Sequence, residues 1–140
     1  MENQGLDERR VQKEILHINL LDGKLHELEQ QMVLLEKQIN ELQLCQLALD
    51  EIKNVKPETE MLAAISPGVF VKTKLKNNDE FVVNTGAKIF CKKNSKETKE
   101  FMQKKLDEAV EIYNKLCSEM NSIVETMQLL EKEILKKSKG

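Results

Sequence analysis

Two histidines, three cysteines and many carboxylates are the residues here that could do acid–base, metal or thiol chemistry. His17 and His26 lie nine residues apart in a helical stretch. That puts them near one face, but not at the i, i+4 spacing that lets two imidazoles share a metal. Each reads as a surface histidine. Cys45, Cys91 and Cys117 are odd in number and widely spaced, with no Cys-x-x-Cys, so they read as reduced thiols of a cytoplasmic protein rather than a disulfide frame. No glycine-rich phosphate loop, Ser/His/Asp set or paired-carboxylate pocket appears. The Asp and Glu residues read as solvated helix faces, and a rod offers no enclosed cavity in which to shift a pKa. The sequence predicts no enzyme, no cofactor and no metal.

The elements that carry these residues are mostly long helices. The chain has 140 residues, of which 33% are charged and 4% aromatic, with no Trp. That composition suits solvated helices better than a globule with a large aromatic core. A net charge of −2 gives no field for gripping nucleic acid or an anionic membrane. No apolar run is long enough for a membrane span, and Met1-Glu2-Asn3 does not resemble a secretory signal.

From about Asp7 to Ile52 a 3-4 spacing is unbroken. One seam row is Val11, Ile18, Leu25, Met32, Ile39 and Gln46; the other is Glu14, Leu21, Leu28, Leu35, Leu42 and Leu49. Ten of these twelve positions are apolar, which predicts a coiled coil. Asp7 is the expected N-cap. Asp22-Gly23 resembles a turn, but the seam stays in phase across it, so the helix is expected to continue. Pro57 ends it by pushing Lys56 out of helical geometry.

A second helix is announced by Asn94 and Glu97, a capping box with Asn in place of Ser or Thr. Its seam runs Met102, Leu106, Ala109, Tyr113, Leu116, Met120, Ile123, Met127, Leu130 and Ile134. Lys136, Lys137 and Lys139 suit the dipole at its C-terminal end. The helices match at roughly 60 Å each, at 1.5 Å per residue, which favours an antiparallel pair within one chain. The alternative is that each helix zips to another chain.

Between them, residues 60–93 alternate β-branched and aromatic side chains, cut by Ser66-Pro67-Gly68, Asn77-Asn78-Asp79 and Thr85-Gly86. This predicts strands at about Met61–Ile65, Val69–Leu75, Glu80–Asn84 and Lys88–Lys92, forming two hairpins. The expected fold class is mainly α with a small β part: a long antiparallel two-helix coiled coil with two β-hairpins inserted between the helices. Isolated hairpins are marginal in water and their edges are unpaired. With the helices expected to shield only its base, the insert should dock on copies or partners. Such docking would close a barrel-like oligomeric β platform. The residues expected to assemble it are Ile65, Val69, Phe70, Val71, Leu75, Phe81, Val82, Val83, Ile89 and Phe90.

At this point the chain resembles the prefoldin α-class subunit, an archaeal and eukaryotic co-chaperone. The match is carried by Ile65-Ser66-Pro67-Gly68-Val69-Phe70-Val71-Lys72 and by Thr85-Gly86-Ala87-Lys88-Ile89-Phe90-Cys91-Lys92-Lys93, within the order helix, two hairpins, helix. Two hairpins point to the α rather than the β class. Ala64 departs from the family's Pro, Thr73 from a small Ala, and Cys91 is unusual in a strand. The resemblance implies a single subunit over 1–140, with helices at 6–55 and 95–138 and an assembly region at 60–93. It also implies an ATP-independent holdase that grips non-native proteins at its coiled-coil tips and passes them to a group II chaperonin. Its partners would be β-class subunits or copies of itself. Some α-class relatives form filaments instead, so the alternative is a structural coiled-coil protein, a filament or spacer.

Client-binding tips need apolar side chains off the seam. Ile15, Leu16, Leu20, Leu129 and Leu135 meet that condition, Leu6 precedes the first helix, and Val11 and Ile134 end the seam. Val33, Leu34, Leu44, Leu47, Val110, Ile112 and Val124 are also off the seam but further from the tips, and scattered surface apolars are ordinary. Lys72, Lys74 and Lys76 share a strand face, with Lys92, Lys93, Lys96 and Lys99 nearby. They could face a chaperonin or RNA, although lysines that guard strand edges against aggregation are commoner. No nucleic acid and no membrane are expected as partners.

Overall fold

In the computed structural model, the backbone is described from Glu2 to Lys139 and the side chains over residues 5–137. The element order is α1 (Glu2–Lys53), β1 (Glu60–Ser66), β2 (Val69–Lys74), β3 (Phe81–Gly86), β4 (Ile89–Lys93) and α2 (Ser95–Lys139). Two long helices thus enclose two antiparallel hairpins, β1–β2 and β3–β4, which form separate two-stranded sheets. The chain divides into two compact units. One holds α1 up to Gln38 and α2 from Ala109; the other is Ile39–Glu108.

The heptad rows do what their spacing requires. Every one of the seam positions named above is buried or half-buried, with Leu28 at 2% exposure and Ala109 at 4%. The helix segments are antiparallel within each unit. In the first unit Glu14 meets Lys137 and Glu36 meets Tyr113. In the second, Gln46 bonds Gln103 and Asp50 pairs with Lys99. The two polar seam positions of α1 therefore each find a polar partner across the seam. Helix 1 runs straight through Asp22-Gly23, since Gly in a helix costs only about 1 kcal/mol against Ala.

Asp7 is not an N-cap. Helix 1 already begins at Glu2, because nothing between Asn3 and Leu6 is strong enough to stop a helix. Its far end stops at Lys53, where Asn54 and Val55 close a tighter turn by donating to Glu51 O and Ile52 O at 3.1 and 3.0 Å. The start of α2 matches the expectation. Asn94 Oδ1 accepts from Glu97 N at 2.8 Å, and Glu97 Oε1 accepts from Asn94 N at 3.4 Å. At the other end, Lys137 spends its ammonium on Glu14 rather than on the helix terminus. The side chain of Lys139 lies outside the described residues.

Asn77-Asn78-Asp79 does more than turn the chain between hairpins. Asn78 Nδ2 donates to Val55 O at 3.1 Å and Lys53 O at 3.4 Å, satisfying carbonyls left open where α1 ends. Asp79 Oδ1 accepts from Ser95 N at 3.0 Å, placing a carboxylate at the start of α2. One tripeptide thereby clasps the end of one helix and the beginning of the next.

The second hairpin turns at Ala87-Lys88, two residues later than the expected Thr85-Gly86. Both residues have positive φ, 47° and 64°. Two left-handed residues suit the type I′ turn of a two-residue hairpin, whose usual occupants are Asn and Gly. A bulge at Thr85, before Gly86 (φ 130°), makes room for it. Exchanging Ala87-Lys88 for Asn-Gly should relieve about 1 kcal/mol of strain and raise Tm by roughly 3 °C, read in a thermal scan. An unchanged or lower Tm would mean the turn is not strained.

Candidate functional site

The hairpins differ in how much of themselves they bury. In β1–β2 the register sets Leu62 opposite Lys72 and Ala64 opposite Phe70, so Leu62, Ala64, Phe70, Lys72 and Lys74 share one face. Ala63, Val71, Met61 and Thr73 share the other. Apart from half-buried Met61, every residue of both strands is exposed, with Phe70 at 57% and Ile65 at 70%. Leu62, 65% exposed, was absent from the expected assembly residues. Strand alternation with Phe70 was the signal that could have found it.

The second hairpin corrects the expectation that the helices shield only the base of the insert. Phe81, Val83 and Thr85 alternate inward. Phe81 and Val83 line a shallow cleft with Leu42, Leu49, Phe101 and Met102. Val83 is 6% exposed, so its side chain is not available to a partner, and Phe81 and Leu75 are half-buried. Period-2 alternation on a strand beside an apolar helix face predicts one covered face; its other face carries Val82, Asn84, Phe90 and Lys92. Val82, Ile89 and Phe90 stand exposed there and at the turn, and Val69 and Val71 are exposed on the first hairpin. The apolar surface open to an assembly partner is therefore the first hairpin together with the outward face of the second.

Three lysines of the expected patch, Lys92, Lys93 and Lys99, are engaged within the chain. Lys92 pairs with Glu80 at 3.4 Å and Lys99 with Asp50. The ammoniums of Lys93 and Lys105 stand 5.6 and 5.0 Å from the centre of the Phe101 ring, within cation–π range. Lys72 and Lys74 remain exposed beside Phe70.

On the helices, Leu6, Ile15, Leu16, Leu20, Leu129 and Leu135 are all exposed, Leu16 at 60% and Leu20 at 67%. Leu6 lies inside α1 rather than before it. Val11 and Ile134 are half-buried in the seam, apart from that exposed set. Val33, Leu34, Leu44 and Leu47 are exposed as well. His26 stands 3.5 Å from both Asp22 and Glu29 on the solvent side of one helix. The Tyr113 hydroxyl donates to Glu36 Oε1 at 3.0 Å, and that carboxylate holds the phenol pKa above its usual 10.0. Among the described residues no group of three His, Cys, Asp or Glu side chains is arranged to hold a metal ion, and no helix is long and apolar enough to cross a membrane.

A seamed helix pair with one outward and one half-covered hairpin between its helices defines the class: a two-helix coiled coil carrying two small antiparallel β-hairpins. The profile described as Prefoldin subunit matches residues 21–140, and the chain belongs to the prefoldin family, whose members are oligomeric chaperones. It is 28% identical over 108 residues to "Prefoldin subunit alpha" of Thermofilum pendens, covering 77% of this chain and 84% of that protein. To "Prefoldin subunit alpha 1" of Thermococcus kodakarensis it is 28% identical over 102 residues, 73% of this chain and 70% of the relative. In fold it is similar to the filamentous PFD of Methanocaldococcus jannaschii, solved by cryo-EM, with a TM-score of 0.74 at 16% identity. That match covers 83% of this chain and 96% of the other.

Proposed function

We propose that this chain acts as one ATP-independent holdase subunit over 1–140. Its helices, Glu2–Lys53 and Ser95–Lys139, would hold non-native proteins at the tips of their coiled coil, and the region 60–93 would join it to other prefoldin subunits or to copies of itself. Clients pass from it to a group II chaperonin. The observation that carries this reading is the exposure of Ile15, Leu16, Leu20, Leu129 and Leu135 on helices whose seam is already filled. Such side chains leave much of their apolar surface uncovered in the subunit itself. Against an unfolded chain they would contribute ~25 cal/mol per Å² of apolar surface covered, without demanding a particular shape. Free Cys45, Cys91 and Cys117 accord with a reducing, cytoplasmic setting.

Exchanging Ile15, Leu16 and Leu135 together for Ser is expected to abolish most suppression of client aggregation while the oligomer stays intact by light scattering. Undiminished protection by the triple variant would defeat the placement of client binding. A second reading is favoured by the likeness to a filament-forming prefoldin. On that reading the chain is a structural element that polymerises through its hairpins, and the unaltered protein should give clients no protection at all.

A further inference from the structure

Glu14 interrupts an otherwise apolar row of the α1 seam. Its side chain is only 15% exposed, and Oε1 accepts from Lys137 Nζ at 2.7 Å, the lysine side chain being 25% exposed. Oε2 is buried and has no hydrogen-bond partner among the described residues. One turn to either side on α1 lie Val11 and Ile18, and Ile134 precedes Lys137 on α2, all half-buried. An apolar residue at this position would hold the seam shut more firmly than a carboxylate with one oxygen unsatisfied. What the ion pair adds is register and reversibility. It specifies which turn of α2 lies beside Glu14, and Lys137 sits in the last turn of α2, where a helix end opens at low free energy.

We propose that Glu14 and Lys137 form an ionic latch on this helix pair. Shut, it keeps Val11, Ile18 and Ile134 in the seam. Open, it lets them join exposed Ile15, Leu16 and Leu135 in one larger apolar surface for a non-native polypeptide. The inference rests on the client-holding reading above and assigns that surface a regulator. It also gives Val11 and Ile134, which the closed seam half-buries, a conditional part in binding.

The test uses the full-length protein in its assembled form, with reduced and alkylated lactalbumin as a permanently unfolded client. Amide exchange over residues 10–20 and 128–136 reports the latch, and client affinity reports its consequence. Lys137→Met keeps the aliphatic stem but leaves Glu14 a buried charge without a cation. Exchange there should accelerate roughly ten-fold and the client should bind several-fold tighter. Glu14→Leu continues the apolar row while Lys137 swings to solvent, so both readouts should move the opposite way. The exchanged pair, Glu14→Lys with Lys137→Glu, should return both toward the starting protein. Single variants that leave exchange unchanged, or move it in the same direction, overturn the latch. Exchange that responds while affinity does not overturns its link to binding. A failure of the client-holding reading shows separately, as equal client affinity in the unaltered protein and the Ile15, Leu16, Leu135 triple variant.

Discussion

Replacing Phe70 and Phe90 with Asp should convert the assembled protein into a single-chain species near 16.2 kDa by native mass measurement, with helical circular dichroism unchanged. Both side chains are mostly exposed within the chain, at 57% and 63%. The subunit therefore loses no core contact when they change. An interface that covers them loses about 1.5–3 kcal/mol of burial for each. It must also take in two carboxylates, whose unpaired burial costs more than that. A combined loss of roughly 5 kcal/mol or more weakens association at least a thousand-fold, since 1.4 kcal/mol is ten-fold. If the doubly substituted chain still runs at the mass of the unaltered assembly, the hairpins are not where copies or partners meet.

Leu28→Ala should be the most damaging single truncation in the helix pair. Leu28 is 2% exposed, the most deeply buried large side chain described, and it sits in the middle of the α1 seam. Truncation of a buried Leu costs about 2–5 kcal/mol, from lost transfer free energy and the cavity left behind. For a chain of this length that lowers Tm by roughly 10 °C. Leu34 is the matched control: it lies on the same helix, six residues on and 69% exposed, and Leu34→Ser should stay within about 0.5 kcal/mol of the starting protein. Both variants need scans at one protein concentration, because assembly makes Tm concentration-dependent. A Leu28→Ala shift no larger than that of Leu34→Ser would mean the seam does not hold the helices together.

Much of the architecture was legible because it follows from local period and local chemistry. Every position the heptad rows named is buried or half-buried, since a 3.5-residue repeat commits one face of a helix whatever the partner. Asn94 and Glu97 declared the start of α2 because both halves of a capping box lie within four residues. What the sequence concealed was decided by residues distant along the chain. Asn78 and Asp79 read as turn residues, and nothing local says that one serves Val55 and the other Ser95. Val83 and Phe70 are both apolar strand residues, yet helix side chains lie beside one and not the other. Ala87 and Lys88 hide a left-handed turn because neither is a residue that normally marks one. Glu14 and Gln46 were visible as flaws in the seam; that Lys137 and Gln103 answer them depends on antiparallel register.

The unequal burial of the hairpins divides the insert into two kinds of sequence. The first is fastened at its base by backbone bonds between Glu58 and Leu75 and between Leu75 and Thr59, and buries no side chain fully. The Asn78 and Asp79 clasp then secures both helix ends behind it. Evolution can rewrite such a cartridge without disturbing the body that carries it, while β3 must keep answering to Leu42, Leu49 and Phe101. Divergence in who docks with whom should therefore accumulate between Glu60 and Lys74, and transplanting that stretch between paralogues should carry docking preference with it.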